Sequence, residues 1–383
     1  MIDFREVRVR SNPRLQLIPQ DRLEPRALDE FRSLSEDPDF FGILLPAADS
    51  KLPAKSVSRD AALLFLALVE PACLPRLLTS LFGSDANERV RQLVLDGVLE
   101  VEQSGAFVSG AAALELLNDG RETPGSSRVA QLSSAAIDYA EALPSLEVNE
   151  IAARLYLFNT APSTPALQRR FATDEQLLQF LFDTTAVARR MCADWRRQPV
   201  QDSWLAWSSA RTAEPAPYKL YVSPTLDDLP AVFAAASDSF TRARCKQFKL
   251  GRGAYGVLRP DKLVAFFVDL DQLLHAAELI QRSARGASAQ GVPFSAPIDP
   301  DGLLSWGMDP PRFEQVLAGR ELQSWRQWLT ERIAVYAIAA RQSGTAAQAF
   351  VPERIAFDGV DPSNWNPNLT MWREPLVPTQ EMA

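Results

Sequence analysis

The chain has 383 residues, 46% of them hydrophobic and 23% charged, with 17 glycines and 28 prolines. That composition excludes a disordered, collagen-like or coiled-coil protein. Forty Lys and Arg stand against 48 Asp and Glu, a net charge of −8, which argues against a general nucleic-acid binder, because phosphate neutralisation calls for a basic domain.

The three cysteines, Cys73, Cys192 and Cys245, are far apart, and His275 is the single histidine. They make neither a disulfide framework nor a zinc cluster. One histidine also removes most hydrolase triads, zincins and facial-triad iron sites. Neither a metal nor an organic cofactor is therefore expected, and chemistry must run on Lys, Arg, Tyr and carboxylates. No window reaches about 18 uninterrupted apolar residues. The start MIDFREVRVRSNPR lacks the apolar run of a signal peptide, so the expected location is cytoplasmic.

In chain order, residues 1–36 read as a charged arm with one short helix around Leu28–Leu34. FFGILLP, from Phe40, reads as a strand. SVSRDAALLFLAL reads as a strand running into an amphipathic helix capped by Ser58 or Asp60. Leu74–Phe82 gives a second helix, with Pro75 in its first turn. ANERVRQLVLDGVLEVEQSGAFVSG gives a third helix closed near Gly97, then two short strands turning at Ser104-Gly105. One leading strand, three helices and a hairpin predict a winged helix over residues 37–115.

The AALLFLAL helix and RQLVLDGVLEVE, within Gly42 to Gly110, resemble the PqqD-like peptide-recognition element of ribosomal-peptide biosynthesis. The resemblance implies that a leader peptide adds a strand to an exposed sheet edge. Internal packing and DNA binding are the other uses of such a module. The RVRQLVLDG helix has too little basic character to grip a duplex.

Residues 116–215 carry the 3.6-residue apolar spacing of helices in VAQLSSAAIDYAEAL, NEIAARLYLF and DEQLLQFLFDTTAVARRMCADWRRQ. Trp195, Trp204 and Trp207 read there as packing residues. Residues 216–383 read as α+β. PYKLYVSP, CKQFKLG and LVAFFVD are strands, LDDLPAVFAAASDSF and DLDQLLHAAELIQRSA are helices, and GVPFSAPIDPDGLLSWGMDPP is a loop before the helix ELQSWRQWLTERIAVYAIAARQSG. The fold class is thus α+β: a winged helix, a helical middle and a C-terminal α+β lobe.

Gly251-Arg-Gly253-Ala-Tyr-Gly256 is a formal GxGxxG. A dinucleotide site needs a helix opening at those glycines, whereas GVLRPDKLVAFF reads as turn and strand, so a glycine-shaped hairpin is expected. The kinase reading fails for want of HRD and DFG. Around the glycines lie Lys219, Arg242, Arg244, Lys246, Lys249, Arg252, Arg259 and Lys262. They form either a solvated basic face or a pocket. Strand alternation puts Lys219 and Tyr221 on one face and turns Lys249 away from Phe248 and Leu250. On adjacent strands, these three polar residues would share a pocket.

The lines YKLYVSP, FKLGRGAYGVLRPDKLVAFF, GVPFSA and RIAFDGVDPSNWNPN resemble the type III effector HopA family and, less closely, the phosphothreonine lyases, over about residues 216–369. That resemblance implies β-elimination of phosphate from phosphoserine or phosphothreonine in a precursor peptide, alongside a kinase-like partner protein. Membranes and nucleic acids are not expected partners. By motif position Lys249 matches the catalytic base, with Lys246, Arg252 and Arg259 lowering its pKa. Lys219 matches the phosphate-contacting lysine, and Arg252, Arg259, Arg326 and Arg332 are candidates for the rest of a phosphate clamp. Tyr221 stands where the lyases carry the general-acid histidine. The same residues therefore also fit a non-catalytic subunit that binds a leader or a phosphopeptide. His275, inside a helix, reads as packing or surface, and Asp261 with Lys262 as a turn pair.

Overall fold

The computed structural model describes residues 2–23, 37–48, 54–117, 125–144, 147–182, 184–199, 203–209, 216–310 and 323–370. Alternating apolar residues near the N-terminus fold into two small antiparallel sheets. β1 (Val9–Ser11), β2 (Leu15–Pro19), β3 (Phe40–Pro46) and β4 (Lys55–Ser58) precede the helices Arg59–Ala67, Arg76–Phe82 and Ala86–Leu95. β5 (Leu99–Gln103) and β6 (Ala106–Val108) follow. The strand orders are β2-β3-β4 and β1-β5-β6.

Ser58 caps the first helix by accepting from the Ala61 N–H. Gly97 (φ +75°) closes the third helix, and Ser104 and Gly105, both at positive φ, turn the hairpin. Leading strand, helices and hairpin thus lie where the sequence places them. The arm differs from expectation, for it holds β1 and β2, and Phe4 and Val9 are fully buried. Their runs of only three and five residues give little periodicity to read. The Leu28–Leu34 helix lies outside the described residues.

The rest is mixed α+β, built on a seven-stranded antiparallel sheet. Its strands are β7 (Arg196–Arg197), β8 (Trp204–Ser208), β9 (Tyr218–Val222), β10 (Gln247–Gly251), β11 (Leu263–Phe267), β12 (Ala296–Pro297) and β13 (Leu304–Met308). Their order is β12-β13-β9-β11-β10-β8-β7. Four of these strands depart from the sequence reading: β7 and β12 are two-residue strands inside runs read as helix and loop, and β8 and β13 are longer. WLAWS, read within a helical region, is β8, because its period-two pattern buries Leu205 and Trp207 on one face and sets Trp204 and Ala206 on the other. LSWGM, read as loop, is β13 and pairs with β9.

The sheet separates two apolar cores. On one face Leu205, Trp207, Leu220, Val222, Phe248, Leu250, Ala265 and Phe267 pack with residues of the helices Leu229–Arg242 and Leu270–Ser283. On the other, Tyr221 and Val264 join a core that runs through the helices Arg128–Ala142, Val148–Tyr156, Trp325–Ser343 and Ala347–Phe357 into the N-terminal residues. A buried ion pair, Arg91 with Glu353, and a part-buried one, Arg354 with Asp96, lock that junction. His275 is exposed.

Between β10 and β11 the chain forms a six-residue helix, Gly253–Leu258, where a plain hairpin was expected. The glycines are needed because backbones touch: a Cβ on Gly251 would lie 2.2 Å from the Gly256 carbonyl oxygen. Gly251→Ala is therefore expected to destabilise the fold by about 2–3 kcal/mol, the upper range for overpacking. The check is a urea midpoint shifted at constant slope.

Candidate functional site

Register fixes which side chains meet. Lys249 lies opposite Val264 on β11, and Val264 opposite Tyr221 on β9. One step along, Gln247 faces Phe266 and Phe266 faces Lys219. Lys219, Tyr221 and Lys249 thus share one sheet face, as alternation predicts. Their strands are not adjacent, however: β11 intervenes, and Phe266 stands between the lysines. The ring centroid of Phe266 lies 5.5 Å from Lys219 Nζ and 5.6 Å from Lys249 Nζ.

This face is roofed by the helices Val148–Tyr156 and Trp325–Ser343, and Arg326 reaches down from the second. It is 1% exposed and donates through Nη2 to the Tyr156 carbonyl at 2.8 Å and through Nε to that of Pro293 at 3.3 Å. Asp261, 2% exposed, receives two bonds from Arg259, at 2.9 and 3.0 Å. Its Oδ2 is also 2.9 Å from Arg326 Nη1. That second contact is an ion pair by distance but not a directed hydrogen bond, since Nη1 has no hydrogen-bond partner.

Aromatic rings hold the cations in place. The Arg259 guanidinium lies 4.8 Å from the Trp204 ring and 5.2 Å from Tyr156, and Arg326 lies 4.6 Å from Tyr156. Lys249 Nζ sits 4.1 Å above Trp204. Lys219 pairs with Asp309, which also accepts the Trp325 backbone N–H at 3.2 Å. The first turn of the roofing helix is so tied to the sheet.

Burial dominates the titration of this cluster. It lowers the Lys249 pKa to about 8, helped first by Lys219 and then by Arg259, with Asp261 and Asp309 opposing. The leading cation is thus Lys219 rather than Lys246 or Arg252. Burial acts to raise the Asp261 carboxyl, but Arg326 and Arg259 outweigh it and hold its pKa at about 2. Burial drives the Tyr221 hydroxyl well above its ordinary value, so Tyr221 stays protonated and its hydroxyl has a proton to donate.

Of the phosphate-clamp candidates, Lys219, Arg259 and Arg326 converge here, and two do not. The Arg252 side chain turns to Asp174 at 2.8 Å. Arg332 is six residues beyond Arg326, about 240° further around the helix, and pairs with Asp358 at 3.2 Å. Asp261, read as half of a turn pair, is the carboxylate at the centre of the site. Lys262 is fully buried, donates to the Pro224 carbonyl at 2.6 Å and to Gln290 Oε1 at 2.5 Å, and has its pKa lowered by burial to about 7. Trp204, Tyr156, Phe266 and Asp309 are also site residues that the sequence reading missed. The alternation of WLAWS was the available signal for Trp204. Among the described residues no cluster of three or more His, Cys, Asp or Glu is placed to hold a metal ion, and no helix is long and apolar enough to cross a membrane.

No protein-family model matches the chain, and no curated protein matches it. Among solved structures it is similar to an effector protein from Pseudomonas syringae pv. syringae strain 61, at 13% identity and a TM-score of 0.37, covering 61% of this chain and 94% of that one. An effector protein from Pseudomonas syringae pv. tomato strain DC3000 is similar at 12% identity and a TM-score of 0.40, covering 62% and 96%. A phosphothreonine lyase is similar at 14% identity and a TM-score of 0.25, covering 51% and 98%. Identities this low leave the chemistry to be read from the site's own residues.

Proposed function

We propose that the site binds the phosphate of a phosphoserine or phosphothreonine in a peptide and eliminates it. The observation that carries this reading is a lysine of depressed pKa set among fixed cations. Lys219, Lys249, Arg259 and Arg326 face two carboxylates, Asp261 and Asp309. Four cations less two anions leave +2 while Lys249 is protonated and +1 once it is neutral, a positive site for a phosphate monoester of about −1.5 to −2 at pH 7.

In the proposed step the neutral Lys249 amine takes the α-proton of the phosphorylated residue. The C–H electron pair becomes the Cα=Cβ double bond, and the Cβ–O bond breaks, releasing phosphate. Arg259, Arg326 and Lys219 hold the departing charge by charge-assisted hydrogen bonds. The Tyr221 hydroxyl, protonated and buried beside them, donates a hydrogen bond to the leaving oxygen. Because elimination consumes a phosphoester, an earlier phosphoryl transfer by a kinase-like partner must supply it. Residues 37–115 would serve as the recognition module, with a leader peptide added as a strand to β4, which ends its sheet.

The test is loss of phosphoric acid, read by mass, from a synthetic phosphoserine peptide. Binding without such loss replaces the lyase by a phosphopeptide-binding subunit, and absence of both removes the reading. A companion outcome concerns Lys219→Met. Removing the charge that most lowers the Lys249 pKa should move the pH midpoint of turnover above about 8, toward the ordinary lysine value. An unmoved midpoint would mean that burial alone sets it.

A further inference from the structure

Arg259 and Asp261, the ion pair at the centre of the anion site, stand between the Gly253–Leu258 helix and β11. The residues that alternate with them in sequence, Leu258, Pro260 and Lys262, are each tied to other parts of the chain. The Pro260 carbonyl accepts from Ser223 Oγ at 2.6 Å. The other two ties meet in one side chain, Gln290. Its Oε1 accepts from Lys262 Nζ at 2.5 Å, and its Nε2 donates to the Leu258 carbonyl at 3.0 Å. The same Nε2 donates to the Asn159 carbonyl at 2.6 Å. Asn159 lies three residues beyond Tyr156, whose ring is 5.2 Å from the Arg259 guanidinium. It holds a left-handed backbone (φ +66°), and its Nδ2 returns two bonds, to the Gln290 and Gly291 carbonyls at 2.9 Å each. The Gln290 backbone is itself fixed, its N–H donating to the Ser223 carbonyl at 2.8 Å.

We infer that Gln290 is a positioning residue, which sets where the Arg259 guanidinium stands when the phosphate binds. The inference rests on the phosphopeptide reading above and names a residue that shapes that same site by acting through Arg259. The chemistry at this point calls for an amide. An ammonium only donates, so an acceptor must face Lys262, whereas the carbonyls of Leu258 and Asn159 need a donor. A side-chain amide supplies both from one planar unit. A carboxylate there would repel the two carbonyls, and an apolar side chain would leave the fully buried Lys262 with the Pro224 carbonyl as its partner. Through that planar unit the chain leaving Tyr156 and the chain entering Arg259 are held at a fixed separation. The Ala161 N–H, 2.9 Å from the Leu258 carbonyl, reinforces the same tie. Removal of the amide is therefore expected to loosen the Arg259 segment rather than release it.

The experiment measures fluorescence anisotropy of a labelled nonapeptide carrying phosphonomethylalanine, against the same peptide with alanine at that position. A methylene replaces the scissile ester oxygen in the first peptide, so binding is read without elimination. The wild type should prefer the phosphonate. In Gln290→Met that preference should fall about tenfold, the scale of one weakened hydrogen bond to a charged group, with affinity for the alanine peptide unchanged. A role confined to stability would lower the urea midpoint and leave the preference of the folded protein as it was. Because Gln290 acts through Arg259, Gln290→Met should cost less than about twofold more in an Arg259→Met background. If Gln290→Met does not fold, Gln290→Asn, one methylene too short to reach Lys262 and both carbonyls, carries the same comparison. An undiminished preference in the folded variant, or an equal fall in the Arg259→Met background, overturns the inference while phosphate-dependent binding stands. Equal binding of the two peptides by the wild type overturns the phosphopeptide reading and this inference together.

Discussion

Lys249→Ala is expected to reduce elimination by at least about 10³-fold, within the 10²–10⁴ range for removing a positioned general base. α-Proton removal is the demanding step, and among the described residues Lys249 combines a place on this sheet face with a pKa of about 8. Affinity for the phosphopeptide should change much less, because Lys219, Arg259 and Arg326 remain and one repelling neighbour is gone from a clamp that Asp261 and Asp309 already organise. The loss should therefore fall on kcat rather than KM. The wild-type pH profile carries the same signature. A base must be neutral, and with a pKa of about 8 roughly one Lys249 in ten is neutral at pH 7. Turnover should thus rise about tenfold per pH unit below 8 and level off above it. Lys249→Arg, which keeps the charge but cannot deprotonate in a protein, should be as inactive as alanine. Substantial turnover in either variant, or a profile falling with pH through this range, would assign the base to another residue.

The parts of this fold that the sequence discloses are those in which local pattern and tertiary placement agree. FFGILLP, YKLYV, QFKLG and LVAFF all become strands, and the cap at Ser58 forms. Alternation pairs Lys219 with Tyr221 and turns Lys249 away from the core residues Phe248 and Leu250, and the register then brings all three to one face. It cannot say that β11 lies between them, because strand order in an antiparallel sheet depends on contacts made far along the chain. β8 shows the same limit from the other side. Five residues of alternating pattern are outvoted by the helices around them, and Trp204 passes for packing although its ring carries both Lys249 and Arg259.

Arginines are harder still to assign. Arg252, Arg259, Arg326 and Arg332 look alike in one dimension, and what sorts them is the carboxylate each one finds: Asp174, Asp261, Asp261 and Asp358. Asp261 carried no sequence signal beyond standing before a strand. Its importance comes from burial, which makes the Arg259 and Arg326 charges costly unless a carboxylate neutralises them.

The stability of the site should therefore hang on that carboxylate. Asp261→Ala is expected to destabilise the protein by about 3–5 kcal/mol, the usual consequence of removing one partner from a buried ion pair. Arg326, 1% exposed, would keep its charge with only the carbonyls of Tyr156 and Pro293 as partners, and Arg259 would lose both of its bonds to the carboxylate. The two guanidiniums would then repel each other across the gap. Because the damage is an uncompensated charge, Asp261→Ala combined with Arg326→Met should be less destabilised than Asp261→Ala alone, a sign of coupling that a simple loss of packing would not give. The acid limb of the stability curve gives an independent reading. The folded-state pKa of about 2 lies below the ordinary carboxylate value, so the contribution of Asp261 is complete above about pH 4 and is lost as pH falls through about 2. In Asp261→Asn that part of the acid dependence should disappear. Urea unfolding from pH 2 to 7 on the wild type and the three variants measures all of this, and a double variant no more stable than Asp261→Ala would show that Arg326 is not what the carboxylate neutralises.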